Sequence, residues 1–273
     1  MDDNDRALRA LLQKIHRERG LDCAQYKPSF LERRLAVRMR ARGVESYGQY
    51  MRLLDDQEYE KLFKALTINL SYFFRNGTAF QALQDRVLNL LLREKARRNS
   101  RLVRVWSAGC AGGEEPYSVA ILFHEILGRE VQDWRIRIFA TDLDASALEK
   151  ARKGTYNEFS FRGVDPRYVE RYFTRLSPKE YAIKSKVAAL VQFERRDLIA
   201  DPPPQRLDLI LCRNVLIYFS RSQQERLLNT FHQALNKEGY LVIGKTEVLM
   251  GPVAHLFAPL DLRERIYVKA PAC

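Results

Sequence analysis

VWSAGCAGGEEPYSVA, residues 105–120, is the stretch on which the fold turns. Its apolar opening, read together with the residues just before it, predicts a strand over LVRVWSA (102–108). The strand runs into a tight turn carrying Gly109, Gly112 and Gly113, and a helix is expected over 115–128. Glycine permits left-handed or closely approached backbone, which lets a nucleotide-like ligand lie against such a turn. Glu114 or Glu115 can cap the first helical turn, and Pro116 suits its start. Taken alone, a glycine-rich strand–helix turn also serves as a plain connection.

Outward from this stretch the same rhythm repeats. IRIFATDLD (136–144) reads as a second strand with an acidic end, followed by a helix at 145–152. LDLILC (207–212) is a third strand, 221–236 a helix, and GYLVIG (239–244) and ERIYVK (264–269) two further strands. Strands alternating with helices predict an α/β fold, a Rossmann-like, mainly parallel, doubly wound sheet. Residues 155–196 interrupt it with crowded aromatics and the β-prone runs YAIK and ALVQFE. A small inserted antiparallel β-subdomain is expected within about 155–190, with the last run free to rejoin the parallel sheet.

Upstream the chain reads as helix. Leu8, Leu11, Leu12 and Ile15 recur at helical spacing until Gly20, and after Pro28 so do Leu31, Leu35 and Met39. Helices at 46–54, 56–66 and 78–98 follow. The expected division is an N-terminal all-helical, basic domain over 1–76 and a sheet domain over 77–273.

The acids narrow the ligand. Asp142 and Asp144 end the second strand, where a carboxylate can accept ribose hydroxyls. The turn is not GxGxxG, however, and Asp142 lies 29 residues beyond Gly113, longer than a dinucleotide fingerprint allows. Glu114 and Glu115 would repel a pyrophosphate but favour a cation. S-adenosylmethionine (AdoMet), a phosphate-free adenosine carrying a sulfonium and an amino group, meets those terms.

Composition sets wider bounds. The 273 residues carry a formal charge of +12, which favours an acidic partner without choosing its kind. Cys23, Cys110, Cys212 and Cys273 form no CxxC pair and the four His are scattered, so no metal site is expected. With no apolar leader and no run of 18 apolar residues, a cytoplasmic protein without membrane insertion is expected.

Several blocks together resemble the chemotaxis receptor methyltransferases, the CheR family. They are NLSYFFRN (69–76), VWSAGCAGGEEPYSVA (105–120), FATDLDASALEKARKGTY (139–156) and LILCRNVLIYFS (209–220), with FLERRLAVRMRARGVESYGQYMRLL (30–54) resembling that family's helical domain. The resemblance implies an AdoMet-dependent methyltransferase domain over 77–273 that methylates glutamate side chains on the cytoplasmic helices of chemoreceptors and yields S-adenosylhomocysteine. It also implies cofactor contacts at Asn69, Ser71, Arg75, Glu114, Glu115, Asp142, Asp197, Leu198, Cys212, Arg213 and Asn214. Asp197 departs from a position that often reads Asn. Arg75 and Tyr218 match residues proposed to face the reacting groups. From the residues alone, Arg75 also reads as a surface arginine and Tyr218 as a packing tyrosine.

The family's acidic receptor helices give the basic module a partner. Lys27 to Arg42 contains six basic residues against one acid, and the stripe Arg34, Arg38, Arg42 is assigned to substrate docking; a solvated face is the alternative. No stable nucleic-acid partner is expected, because no NPPY-like loop stands where this chain has CRNV, and a monomer is expected. Methylation of RNA or of another protein, or a noncatalytic AdoMet-binding module, are the competing readings. The turn near Leu176–Lys179 lacks glycine, which leans toward recognition without a receptor peptide tether.

Overall fold

A computed structural model describes residues 3–67, 69–249 and 251–271; Cys273 lies outside the described residues. The chain forms two compact units. The first joins the N-terminal helices to the short segment Tyr218–Gln224. Its helices are α1 (Asp3–Arg19), α2 (Pro28–Ala41), α3 (Tyr47–Arg52) and α4 (Asp56–Leu66). Gly20, at φ +71°, ends α1 where the sequence stops its periodicity. Pro28 opens α2, a Ser46/Gln49 capping box opens α3, and Asp55 caps α4. The apolar positions Leu11, Ile15, Leu31, Leu35 and Met39 are all buried, as their spacing requires.

Segment 218–224 completes this unit. Tyr26 and Phe219 form an isolated antiparallel bridge, and Ser220 N–H donates to Gln25 O at 2.9 Å. The Tyr26 ring stacks on Phe219 at 5.4 Å, and Phe30 lies 4.9 Å from Tyr218.

In the second unit, α5 (Gly77–Leu83), one π turn (Gln84–Leu88) and α6 (Asn89–Arg97) lead into β1 (Leu102–Ala108) and α7 (Glu114–Leu127). Then come β2 (Arg135–Asp142), α8 (Ala145–Lys153), β3 (Thr155–Asn157), α9 (Pro166–Tyr172), β4 (Phe173–Ser177), β5 (Glu180–Ile183), α10 (Ser185–Ala188) and β6 (Val191–Arg195). β7 (Leu207–Cys212), α11 (Arg221–Ala234, whose first residues count with the helical unit), β8 (Leu235–Ile243), β9 (Phe257–Asp261) and β10 (Ile266–Lys269) complete the chain. The strands make a seven-stranded sheet of order β6-β2-β1-β7-β8-β10-β9, parallel up to β8 and antiparallel thereafter. Strand order reverses between β1 and β7, the switch point where such sheets hold ligands beyond their C-terminal ends. ALVQFE does rejoin the parallel sheet, as β6 beside β2.

The inserted sheet, β3-β5-β4, is antiparallel, and its β4–β5 turn falls at Pro178–Lys179. Phe73 ties the 69–76 segment to it, contacting the rings of Tyr156, Phe161 and Phe173 at 4.8, 5.2 and 4.9 Å. Phe73 N–H also donates to Ser160 O, and Phe74 N–H to Ser118 Oγ. Residues 69–76, grouped with the helices when read as sequence, therefore belong to the sheet unit, because their apolar side chains and amides are satisfied there.

Candidate active site

The turn after β1 is fixed from both sides. Gly109 and Cys110 donate their N–H groups to Thr141 O at 2.8 and 3.0 Å, clamping the turn to the end of β2. Gly109 has φ +80°, and a Cβ there would lie 2.5 Å from Val215 Cγ2. A side chain is excluded on both counts. Ala111 is left-handed as well, at φ 47°, and its N–H donates to Asp142 Oδ2 at 2.8 Å.

Asp142 also accepts the Asp144 N–H on Oδ1 at 3.0 Å. Each oxygen retains a further lone pair, so a ribose diol can still be received. Burial pushes this carboxyl up from its ordinary range, and the N–H groups of Asp144 and Ala111 counter only part of that rise. Asn69 Nδ2 donates to Asp144 Oδ2 at 2.6 Å, which brings the 69–76 segment to the β2 end.

The two acids of α7 differ sharply. Glu115 is ion-paired: Arg213 Nη1 stands 3.3 Å from Oε2, and Ser107 Oγ donates to Oε1 at 2.8 Å. Arg213, just past β7, also donates to Arg75 O at 2.6 Å and lies over the Phe80 ring at 5.0 Å. One guanidinium thus joins α7, the 69–76 segment and α5. Glu114 is 1% exposed beneath the turn, with Lys150 Nζ 3.4 Å from Oε1 and, among the described residues, no hydrogen-bond partner for Oε2. Burial raises its carboxyl, against the opposing charge of Lys150. Both acids therefore already face cations, Arg213 and Lys150, brought from β7 and α8.

The remaining predicted residues take distinct places. Arg75 holds its own segment closed, Nη1 donating to Leu70 O at 2.8 Å. Ser71 is half-buried in the same segment. Asp197 follows β6, where Arg196 N–H donates to Asp142 O; its Oδ1 accepts the N–H groups of Ile199 (2.8 Å) and Ala200 (3.2 Å), and Leu198 lies within that turn. Cys212 is fully buried at the end of β7, and burial pushes its thiol well up. That is a packing residue, not a nucleophile.

Asn214 is left-handed at φ 61°, held by a residue the sequence reading missed. Glu247 is 3% exposed and accepts N–H groups from Asn214 (3.0 Å), Gly244 (2.5 Å) and Ile217 (3.2 Å). Burial raises its carboxyl, with those N–H groups acting against the rise. An acid soon after the GYLVIG strand was the available signal.

Tyr218 groups with the helical unit; Lys27 N–H donates to its main-chain O at 2.9 Å. The residues of the arginine stripe have different surroundings there. Arg38 gives Nε and Nη2 to Glu58, both at 2.9 Å, and Tyr50 OH adds a third bond at 2.8 Å. Arg42 Nε is 3.8 Å from the same carboxylate. Burial of Glu58 opposes its ionisation, but Arg38, Tyr50 and Arg42 together outweigh it and hold the carboxyl low. Arg34 lies over Phe30 at 5.6 Å. A buried acid on α4 thus claims Arg38 and draws in Arg42, while Arg33, Arg40 and the cap residue Arg42 are exposed.

Comparison with known proteins gives this geometry its family. The CheR methyltransferase SAM-binding domain matches residues 69–266, and the CheR methyltransferase all-alpha domain matches residues 6–67. The chain belongs to the CheR methyltransferase family. It is 35% identical over 253 residues to a chemotaxis protein methyltransferase of Salmonella typhimurium, covering 89% of this chain and 84% of that one. A chemotaxis protein methyltransferase of Borreliella burgdorferi is 30% identical over 251 residues, with 89% and 88% covered. A Rhodobacter capsulatus protein described as an uncharacterized 104.1 kDa protein is 36% identical over 244 residues, and the chain spans 25% of its length. The CheR chain is thus an AdoMet-dependent methyltransferase. Among its described residues no helix is long and apolar enough to cross a membrane.

Proposed function

We propose that this CheR chain transfers the AdoMet methyl group to glutamate side-chain carboxylates on the cytoplasmic helices of chemoreceptors, forming glutamyl methyl esters. The observation that carries the reading is the Glu115–Arg213 pair anchored to the Arg75 main chain at the strand ends, within a match to the CheR SAM-binding domain. The residues suit the cofactor: Asp142 keeps acceptor capacity for ribose hydroxyls, and the Glu114 and Glu115 pairs with Lys150 and Arg213 set the turn without offering a phosphate site. Bound AdoMet supplies an electrophilic methyl group on a sulfonium.

Everything else falls to the protein. A glutamate acceptor is ionised near neutral pH, so no general base is required. The chain orients the carboxylate and excludes bulk water. Asn69, Ser71, Asp197, Leu198 and Asn214 are assigned to hold the donor, with Arg213 and Cys212 shaping the wall behind it. Arg75 is assigned to steer the acceptor through its non-attacking oxygen, since a strong salt bridge to the attacking one would blunt it. Tyr218 is assigned to face the reacting groups.

The test incubates the protein with methyl-labelled AdoMet and either a receptor cytoplasmic fragment or RNA. Label on the fragment that is released by mild base is the expected result. Label only on RNA would overturn the acceptor, and no transfer to either would overturn the activity. Arg75→Ala should reduce turnover at least tenfold with the fold intact, a loss of about 1.4 kcal/mol or more in transition-state binding; unchanged turnover would remove Arg75 from its role.

A further inference from the structure

Doubly wound sheets normally carry helices on both faces. In the CheR chain, α7 and α8 cover one face at β2, where Ile136, Ile138 and Ala140 are buried. On the other face α11 covers the centre, Phe231 meeting Trp106 of β1 edge-on at 5.4 Å. Toward β2 and β6 that cover stops. The β6–β7 connection, residues 196–206, holds no helix, and Arg135, Arg137 and Gln192 stand exposed.

The slot is lined by cations. Parallel register sets Arg104 of β1 beside Arg137 of β2, on strands about 4.8 Å apart, with Arg135 two residues earlier. Like charges placed side by side across strands cost stability. Arg104 is partly occupied, over the Phe139 ring at 4.7 Å and donating to Gln205 O at 3.0 Å. Arg135 and Arg137 have no side-chain hydrogen bond or ion pair among the described residues. The carboxylate on this face at β6, Glu194, is taken by Arg196 at 2.9 Å.

We propose that the uncovered β2–β6 face is a docking surface for an acidic α-helix of a partner protein. The missing layer selects a helix, and the unanswered arginines select carboxylates on it. Carboxylates spaced i, i+4 stand about 6 Å apart, close to the spacing of Arg135 and Arg137 along the strand. The face lies toward the N-terminal ends of the strands, opposite the end that holds the AdoMet site, so docking and methyl transfer are separable.

The test uses the whole chain and a fluorescein-labelled, alanine-based helical peptide with Glu at i, i+4, followed by anisotropy at low salt. Parallel arms carry the same peptide broken by a central proline, a single-stranded RNA oligomer, and phosphatidylserine vesicles. The double variant R135S/R137S is compared with R6S/R9S on α1, an equal loss of charge at exposed positions. The helical peptide should bind about tenfold more weakly to R135S/R137S and within about twofold of normal to R6S/R9S, with AdoMet affinity unchanged in both. Equal losses in the two variants would reduce the effect to net charge and overturn the proposal. So would a proline-broken peptide that binds as well as the helix, or RNA or vesicles held more tightly than the helix through the same arginines.

Discussion

Single positions decide whether the CheR turn can form. Gly109 combines a left-handed backbone with a forbidden Cβ, so Gly109→Ala should cost about 2 kcal/mol or more, read as a lower urea midpoint. Glu247→Ala leaves three N–H groups without their acceptor and should weaken AdoMet binding more than it lowers the melting temperature, which calorimetry and a thermal scan separate. Protonation offers a third handle. Burial holds Glu114 and Asp142 above the usual carboxylate range in the free protein. Their contribution to folding is therefore present at low pH and lost as pH rises through the raised values. Ribose hydroxyls donate to the ionised form of Asp142, so AdoMet affinity should fall as pH drops from neutral, starting above the ordinary carboxylate range; a titration of Kd against pH checks the sign. Glu247 shows what the sequence conceals: an acid after GYLVIG is visible, but no spacing reveals that it also serves main-chain amides of Asn214 and Ile217, after the neighbouring strand β7.

Among elements, the pair α2 and α4 is held by a charge in the wrong medium. Glu58→Ala leaves half-buried Arg38 and the buried Tyr50 hydroxyl without their acceptor and should destabilise the protein by about 1.5–3 kcal/mol, seen in chemical unfolding, while Arg40→Ala on the exposed side should change stability by under about 0.5 kcal/mol. The arginine stripe was legible as a stripe, since helical spacing fixes which residues share a face. Its use was not legible, because the competing acid sits twenty positions on, in another helix. The central strand β7 was read to its ends, its continuous apolar run being the mark of a doubly covered strand, whereas β8 begins at Leu235, four residues earlier than expected. β9 was missed: FAPLD is short, contains proline and is exposed along most of its length, as suits a sheet edge. α9 was hidden among the tyrosines of 168–172, where ring packing outweighs helical periodicity.

For the whole molecule, a charge of +12 and a partner expected to be acidic give a salt-dependent encounter. Transfer to a receptor fragment should show kcat/KM falling as ionic strength rises with kcat nearly constant; an unchanged ratio would remove electrostatic docking from the reaction. The family and fold were readable from ordered blocks spanning the chain, whereas the division of the chain was not, since apolar contacts and not composition decide where residues 69–76 and 218–224 belong. That second segment has a consequence for biogenesis. Helices α1 to α4 leave the ribosome first, yet Tyr26 and Phe30 wait for Phe219 and Tyr218, which are synthesised only after most of the sheet. The unit begun earliest is among the last to be closed, so a grafted or separately expressed copy of residues 1–67 would carry an aromatic seam with one side missing.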